Sequence, residues 1–365
     1  MKPIRAIIFF LIIISFLSCS EEENYVPVEV VEEPQISPVV FDLDAVPYST
    51  LSAYNFFEGN IVEQSPVYGV LPYDLITPLF SDYSKKKRFI WMPNDVKAAY
   101  TTDDAIVDFP SGSVIIKTFY YDNVLPNLTT KIIETRLIIK KNDAYIFANY
   151  KWNEDQTEAF LDNNGSFVNV SIEKDNTSLE INYRVPSETE CRVCHKSVNE
   201  LPIPIGPKPQ NLNKLFNYID GTKNQLQKWV DMGYLNNNVP LNINTIVDWE
   251  DESKSLDLRA RSYLDVNCAH CHTDELHCAY RPIRLSFSDT ENPTDAGVCV
   301  APEENFDSSL VHIVSPGRND RSMLWFRLNT TDGATRMPLL SRSVKHDEGV
   351  ALIEAWINSL ESNCQ

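Results

Sequence analysis

The sequence predicts a multidomain β plus α protein, with an antiparallel β-sandwich-like domain over residues 40–185 and mainly helical segments over residues 186–250 and 251–365. Three observations lead to this division. Short runs of β-branched and aromatic residues recur before residue 186, helical periodicity and loops replace them afterwards, and the motif C-x-x-C-H occurs twice in the second half.

The first 18 residues have the composition of a signal peptide. Lys2 and Arg5 precede an apolar run over residues 6–17 that is too short to span a membrane comfortably. Cys19 follows in a context that resembles a bacterial lipobox, and an acidic, proline-containing stretch reaches residue 39. We therefore expect export, lipidation of Cys19 and a flexible tether over residues 19–39, with an ordinary cleaved signal as the alternative.

The chain is strongly acidic. Removal of Lys2 and Arg5 with the signal peptide lowers the formal net charge from −19 to −21. A charge of this sign repels nucleic acid, so we predict no nucleic-acid partner. It favours partners with a basic surface.

Residues 40–185 carry strand patterns separated by turn residues. The predicted strands are residues 114–121, 132–140, 145–152 and 167–172, followed by the alternation of Leu179, Ile181, Tyr183 and Val185. The basic run at residues 85–88 is interpreted as a solvated loop or edge strand, with docking of an acidic partner as the alternative.

After residue 186 the periodicity becomes helical. Helices are predicted around residues 211–219 and 223–231, over residues 251–267 directly before the second C-x-x-C-H motif, and over residues 345–360.

The two motifs are the strongest chemical signal in the chain. Cys191, Cys194 and His195 form the first, and Cys268, Cys271 and His272 form the second. Two thiols three residues apart lie on one side of a helical turn, where each forms a thioether to a haem vinyl group, and the following histidine ligates the iron. We therefore predict two covalent c-type haems, with His195 and His272 as axial iron ligands. Zinc ribbons space their cysteine pairs by about 15–20 residues, much less than the separation here.

The sixth iron ligands are less evident. Met337 is the candidate for the second haem, because it lies 65 residues after His272 in a loop just before the last predicted helix. Thioether ligation there would favour the reduced iron and raise its potential. Met323 is the second candidate for this ligand. Met232 is the candidate for the first haem, with an open or water-ligated iron as the alternative.

Three further cysteines remain in the exported chain. Since export favours disulfides, the sequence favours a pair between Cys278 and Cys299, which lie in one insertion. Cys364 is an alternative partner for either.

With both motifs located, the sequence resembles a family of uncharacterised exported dihaem c-type cytochromes of bacteria. The resemblance rests on residues 78–89, on the first motif with residues 206–208 and 211–213, and on residues 260–272, 297–299 and 336–356. The region of the second motif is further similar to class I cytochrome c. This resemblance implies cytochrome c-like haem domains, with His272 and Met337 as axial ligands.

These features predict an outer-membrane lipoprotein, on the periplasmic or cell-surface side, that transfers electrons between redox partner proteins. The alternative is a dihaem oxidoreductase or peroxidase with an open-sided first haem. A binding or sensing lipoprotein is disfavoured, because one haem would suffice to build its core.

Overall fold

The computed structural model describes residues 35–304, 306–361 and 364. Residues 36–365 form one compact unit. The predicted signal peptide, the lipidation site Cys19 and most of the tether lie outside the described residues. Trp91 Nε1 donates to Ser37 Oγ at 3.1 Å, and Val39 packs on the core. Residues 37–39, the end of the predicted tether, therefore pack against the folded unit.

An antiparallel sheet of eight strands forms the first half of this unit, as the sequence predicts. Its strands are β3 (Leu71–Tyr73), β4 (Lys85–Trp91), β5 (Val114–Val124), β6 (Thr129–Lys141), β7 (Ala144–Trp152), β8 (Ala159–Leu161), β9 (Ser166–Lys174) and β10 (Thr177–Val185). The order is β10-β9-β5-β6-β7-β8, and β4 pairs with both β3 and β5. A separate pair, β1 (Phe57–Glu58) and β2 (Ser65–Pro66), precedes it.

The two faces of the sheet have different coverings. Val114, Ile116 and Leu137 point to the face that residues 46–70 cover. This covering contributes only the short β1–β2 pair, so the second full sheet of a sandwich is not formed among the described residues. The reason is local: residues 46–70 lack the long alternation that gives paired strands, and they pack through large side chains such as Tyr54 and Phe56.

The basic run at residues 85–88 begins β4 and is an edge strand only in part. Lys85, Lys86 and Lys87 pair with β5 alone, whereas Arg88 also pairs with Tyr73 of β3 and its side chain is only 5% exposed. Alternation along a strand sends Lys85 and Lys87 to one face and Lys86 and Arg88 to the other. A run of four charges therefore contributes two of its cations to the interior.

The second half of the described chain contains six helices, which long loops connect. They are α1 (Glu188–Cys194), α2 (Pro209–Leu212), α3 (Gln225–Asp231), α4 (Leu256–Leu264), α5 (Met323–Leu328) and α6 (Asp347–Ser359). The predicted helix at residues 211–219 is wrong beyond Leu212: Leu215–Tyr218 (β11) pairs with Gly221–Asn224 (β12) as a hairpin. Gly221 has φ of 119°, which a turn tolerates and a helix does not.

The C-terminal helix α6 packs across α4 and builds a second core. Tyr263 and Leu264 of α4 contact the cluster that contains Ile353 and Ile357 of α6. Residues of the sheet half reach this core as well, because the ring of Phe80 stacks on His346 with centroids 3.9 Å apart. Asp82 Oδ1 also accepts from the backbone N of Ser343 at 2.6 Å. Among the described residues, no helix is both long and apolar enough to cross a bilayer.

Candidate functional site

The first motif lies on α1, which the sequence starts with a capping box. The Ser187 side chain accepts from Glu190 N, and the Glu190 carboxylate accepts from Ser187 N at 2.7 Å. Arg184 then binds the Glu190 carboxylate through two nitrogens. This arrangement fixes the start of a seven-residue helix that would be marginal by itself.

The helix rests on the sheet through its first cysteine. Cys191 packs against Tyr145 and Phe147 of β7, and Asn149 Nδ2 lies 3.5 Å from its sulfur. Asn149 also donates to the carbonyl of Pro186 at 2.5 Å. Strand β7 therefore sets the position of the first thiol of the motif.

The histidine of the first motif has one ring nitrogen bound and one free. Nδ1 of His195 donates to the carbonyl oxygen of Ile203 at 3.0 Å, and Ile203 N donates back to the His195 carbonyl at 3.1 Å. Burial lowers the pKa of His195 to about 3, so the ring is neutral. A neutral ring whose Nδ1 carries the proton presents its Nε2 lone pair, which is the form that binds a metal.

The second motif follows α4 through a π-helical turn over Asp265–Ala269. Such turns are rare and frequently occur at functional sites. Asp265 holds this turn: its Oδ1 accepts from Lys208 Nζ at 2.9 Å and from Phe287 N at 3.1 Å. Beyond the turn, His272 N donates to the Cys268 carbonyl at 3.0 Å, which continues the helical path to the end of the motif.

The second histidine differs from the first. His272 Nδ1 is buried and has no hydrogen-bond partner among the described residues. Burial, followed by the electrostatic influence of the neighbouring His270 ring and the Arg281 cation, lowers the pKa of His272 to about 4. This ring is therefore also neutral, but its orientation is not fixed by a carbonyl.

The structure brings the two motifs together. Ligand atoms of Cys194 from the first motif and of His270 and Cys271 from the second lie within 4.8 Å of one another. The segments after the motifs also pair, since Val198 N donates to the Glu275 carbonyl at 2.8 Å. The sequence did not predict this meeting, because 74 positions separate Cys194 from Cys268 along the chain.

A cavity lies between α1 and the sheet face opposite residues 46–70. Its wall combines strand residues with both motifs and with the loop after Met337; the members that matter below are Arg88, Lys117, Arg136, His195, His270 and Pro338. His270, inside the second motif, lies in this wall, with a buried Nδ1 that has no partner among the described residues.

The two candidate methionines have different surroundings. Met337 N donates to the Arg327 carbonyl at 2.9 Å, and Arg327 is one of the cations that act on His272. Met232 ends α3 and packs with Trp229 and neighbouring apolar residues, and it is not part of the cavity wall beside His195. Ligation by either methionine stays a prediction.

The predicted disulfide between Cys278 and Cys299 is wrong. Cys299 pairs with Cys364, with their Cα atoms 5.3 Å apart, so the chain end is joined to the insertion after the second motif. The prediction relied on the short sequence separation of Cys278 and Cys299. In the structure Cys278 instead contacts the second motif, where its backbone N donates to the Cys271 carbonyl at 3.0 Å. Its thiol contacts that of Cys271, and this contact lowers the pKa of Cys278 to about 7.

The donor atoms fit two c-type haems by their chemistry. Each motif offers two thiols and a neutral imidazole, and His195 has the orienting carbonyl that metal-bound histidines usually have. The cavity measures about 120 Å³, whereas a cavity of about 150 Å³ holds a single benzene ring. To hold a macrocycle the cavity would therefore have to widen; its wall segments at residues 205–207 and 338–341 belong to no helix or strand.

A metal ion is the competing occupant. Cys194, His270 and Cys271 are of the donor types that bind zinc. The two occupants exclude each other, since a cysteine sulfur joined to a haem vinyl group is no longer a thiolate.

No family model, no curated protein and no solved structure matches this chain. The arrangement of the motifs therefore carries the functional argument by itself.

Proposed function

We propose that this protein is an exported dihaem c-type cytochrome that transfers electrons through two covalently attached haems. Cys191 and Cys194 would attach the first haem, and Cys268 and Cys271 the second. His195 and His272 would be their axial ligands. The single observation that carries the proposal is the form of His195, whose Nδ1 donates to Ile203 while Nε2 remains free for iron.

The proposal assigns a chemical role to the haem iron and to each residue that would bind or orient it. A bound haem iron supplies one-electron redox chemistry. The Ile203 carbonyl orients His195 and increases the basicity of its ring. Met337, as the sixth ligand of the second haem, would favour the reduced iron and raise its potential. Met232 is the proposed sixth ligand of the first haem, with an open position as the alternative.

The contact between the motifs supports electron transfer in particular. Cys194 and Cys271 lie side by side, so the attachment sites of the two proposed haems would be adjacent. Haems held there would supply one-electron redox chemistry at both sites. The proposed partners are redox proteins with a basic surface, in keeping with the acidic chain, and not nucleic acid.

We infer a cytochrome c-like arrangement for residues 251–365. The packing of α4 against α6 supports it, since α4 leads into the second motif and α6 follows the Met337 loop. Residues 186–250 would be the first haem segment. An exported position on an outer-membrane lipid anchor at Cys19 completes the proposal.

A second function is favoured by one observation. The mostly apolar wall of the cavity beside His195 contains the cationic side chains of Lys117 and Arg136, which a small anionic substrate of an open-sided first haem could use. In that case the protein would be a dihaem oxidoreductase or peroxidase. Carbon monoxide or peroxide would then change the spectrum of one haem, whereas two six-coordinate haems that ignore both ligands would exclude this function.

The test of the proposal uses paired cysteine variants. Haem content, measured by pyridine haemochrome, should be two in the wild type and one in each of Cys191→Ala/Cys194→Ala and Cys268→Ala/Cys271→Ala. Cys278→Ala is the matched control and should retain both haems. Zinc in place of haem, lost in Cys194→Ala, would overturn the proposal in favour of a metal site.

A further inference from the structure

A row of cations crosses the sheet face that looks into the cavity. Arg88 of β4 is opposite Lys117 of β5, Lys117 is opposite Arg136 of β6, and Arg136 is opposite Asn149 of β7. The row ends at the first motif, because Asn149 contacts Cys191. Like charges directly opposite each other destabilise a sheet, so this arrangement calls for an anion.

Only the outer two members of the row have anionic partners in the described chain. Arg88 binds Asp74 at 3.0 Å, and Arg136 binds the fully buried Glu134 at 2.6 Å. Asp74 is itself shared with Lys214 at 3.3 Å. Lys117, between the two arginines, has no carboxylate within salt-bridge distance among the described residues.

The side chain of Lys117, the cation without a carboxylate partner among the described residues, points into the cavity. Lys117 Nζ and the guanidinium of Arg136 both lie over the ring of Phe119, at 5.0 Å and 4.3 Å from its centroid. Phe119 and both cations belong to the cavity wall. The Nε atoms of Arg88 and Arg136 are buried without an acceptor, so two further donors are unused.

We propose that Lys117, between Arg88 and Arg136, binds a carboxylate in this cavity, and that the carboxylate is a propionate of the first haem. The proposal rests on the proposed function, because it needs a haem at Cys191 and Cys194. Arginine and lysine bind carboxylates through charge-assisted hydrogen bonds, which are about twice as strong as neutral ones.

The electrostatics of Lys117 agree with this assignment. Burial, together with the charges of Arg88 and Arg136, lowers the pKa of Lys117 well below its usual range. A carboxylate beside Lys117 would restore the charged form of the amine. Buried charges persist in proteins when they are paired in this way.

The test measures reduction potentials of the holoprotein. A cation beside a haem stabilises its reduced form, so Lys117→Gln should lower one of the two midpoint potentials. Lys117→Arg keeps the positive charge, so its midpoint potentials should match those of the wild type. Lys85→Gln is the matched control: Lys85 is a 62% exposed lysine of β4 on the opposite face, paired with Asp122, and both potentials should stay unchanged.

Direct contact is tested by infrared difference spectra between the reduced and oxidised protein. Carboxylate bands that move on ¹³C labelling of the haem propionates should shift in Lys117→Gln and stay in place in Lys85→Gln. A Lys117→Gln protein with two haems, unchanged potentials and unshifted bands would overturn the carboxylate site alone. A chain that holds no first haem would overturn the proposed function and this site together.

A free small carboxylate is the other source of the same chemistry. Titration of the wild-type holoprotein with succinate distinguishes the two sources and needs no variant. A spectral change that saturates in the wild type and is lost in Lys117→Gln would overturn the propionate assignment. Insensitivity of the wild type to succinate is the result that a propionate in this place predicts.

Discussion

Nδ1 of His195 lies 3.0 Å from the carbonyl oxygen of Ile203, and the backbone N of Ile203 returns a hydrogen bond to the carbonyl of His195. This reciprocal pair holds the ring of the first motif against the segment at residues 202–204. It fixes the tautomer of the ring and leaves Nε2 for a ligand.

Replacement of Ile203 by proline tests the role of this pair. Proline has no backbone N–H, so Ile203→Pro loses the bond to the His195 carbonyl and loosens the carbonyl that orients the ring. A weaker bond to Nδ1 makes the ring a poorer donor to ferric iron. We therefore expect one midpoint potential to rise in a redox titration, while Ile203→Val, which keeps the N–H, behaves as the wild type. Unchanged potentials in the proline variant would count against an orienting role.

Met337 is the predicted sixth ligand of the second haem. Met337→Ala should lower the potential of that haem and change its oxidised spectrum toward a high-spin form, because thioether ligation is lost. Met323→Ala is the control, since Met323 is a buried core residue of α5. If the spectrum of Met337→Ala matches that of the wild type, Met337 is not a ligand.

The disulfide between Cys299 and Cys364 should contribute strongly to stability. It closes a loop with a sequence separation of 65 residues. By the chain-entropy relation, a loop of this length stabilises the fold by about 4 kcal/mol. Cys364→Ser should lower the free energy of unfolding by about this amount in urea denaturation under oxidising conditions. Cys278→Ser, which breaks no disulfide, should have a much smaller effect; equal losses would contradict the observed pairing.

His346 makes stability depend on pH. Burial lowers its pKa to about 4 in the folded state, where it stacks on Phe80 and its Nδ1 lies 3.0 Å from the hydroxyl of Tyr263. The unfolded value is about 6.5. The folded state therefore favours the neutral ring. This contribution is complete above pH 6.5 and is lost as pH falls from 6.5 through 4.

The matched variant is His346→Gln. It should be less stable than the wild type at pH 7, and the difference in the free energy of unfolding should narrow progressively between pH 6.5 and 4. Urea denaturation at several pH values measures this difference. A difference that is constant with pH would show that His346 does not titrate in this way.

The sequence predicted the elements whose pattern is local. Strand β7 follows from its β-branched and aromatic residues, strand β10 from alternation and helix α6 from an apolar stripe, and the structure contains all three. The same reasoning failed for residues 215–218, where Gly221 permits a hairpin that periodicity does not reveal. For residues 85–88 it predicted a solvated edge, which describes Lys85 but not Arg88, because strand pairing sends the Arg88 side chain inward.

The site was predictable in its parts and not in its assembly. Both C-x-x-C-H motifs are visible in the sequence. The meeting of Cys194 with Cys271 is not, since it depends on contacts between loops far apart in the chain. The row from Arg88 to Arg136 also requires the strand register, which no single strand pattern contains. One signal was available: Lys117 is the one charged residue in the predicted strand at residues 114–121.

The intact mass of the mature protein, purified from a host that attaches c-type haem, tests the central claim most directly. The account predicts a mass increased by two haems that remain bound after denaturation, since thioether bonds survive unfolding. A denatured chain without covalent haem would contradict it, and bound zinc in the native protein would then identify Cys194, His270 and Cys271 as a metal site.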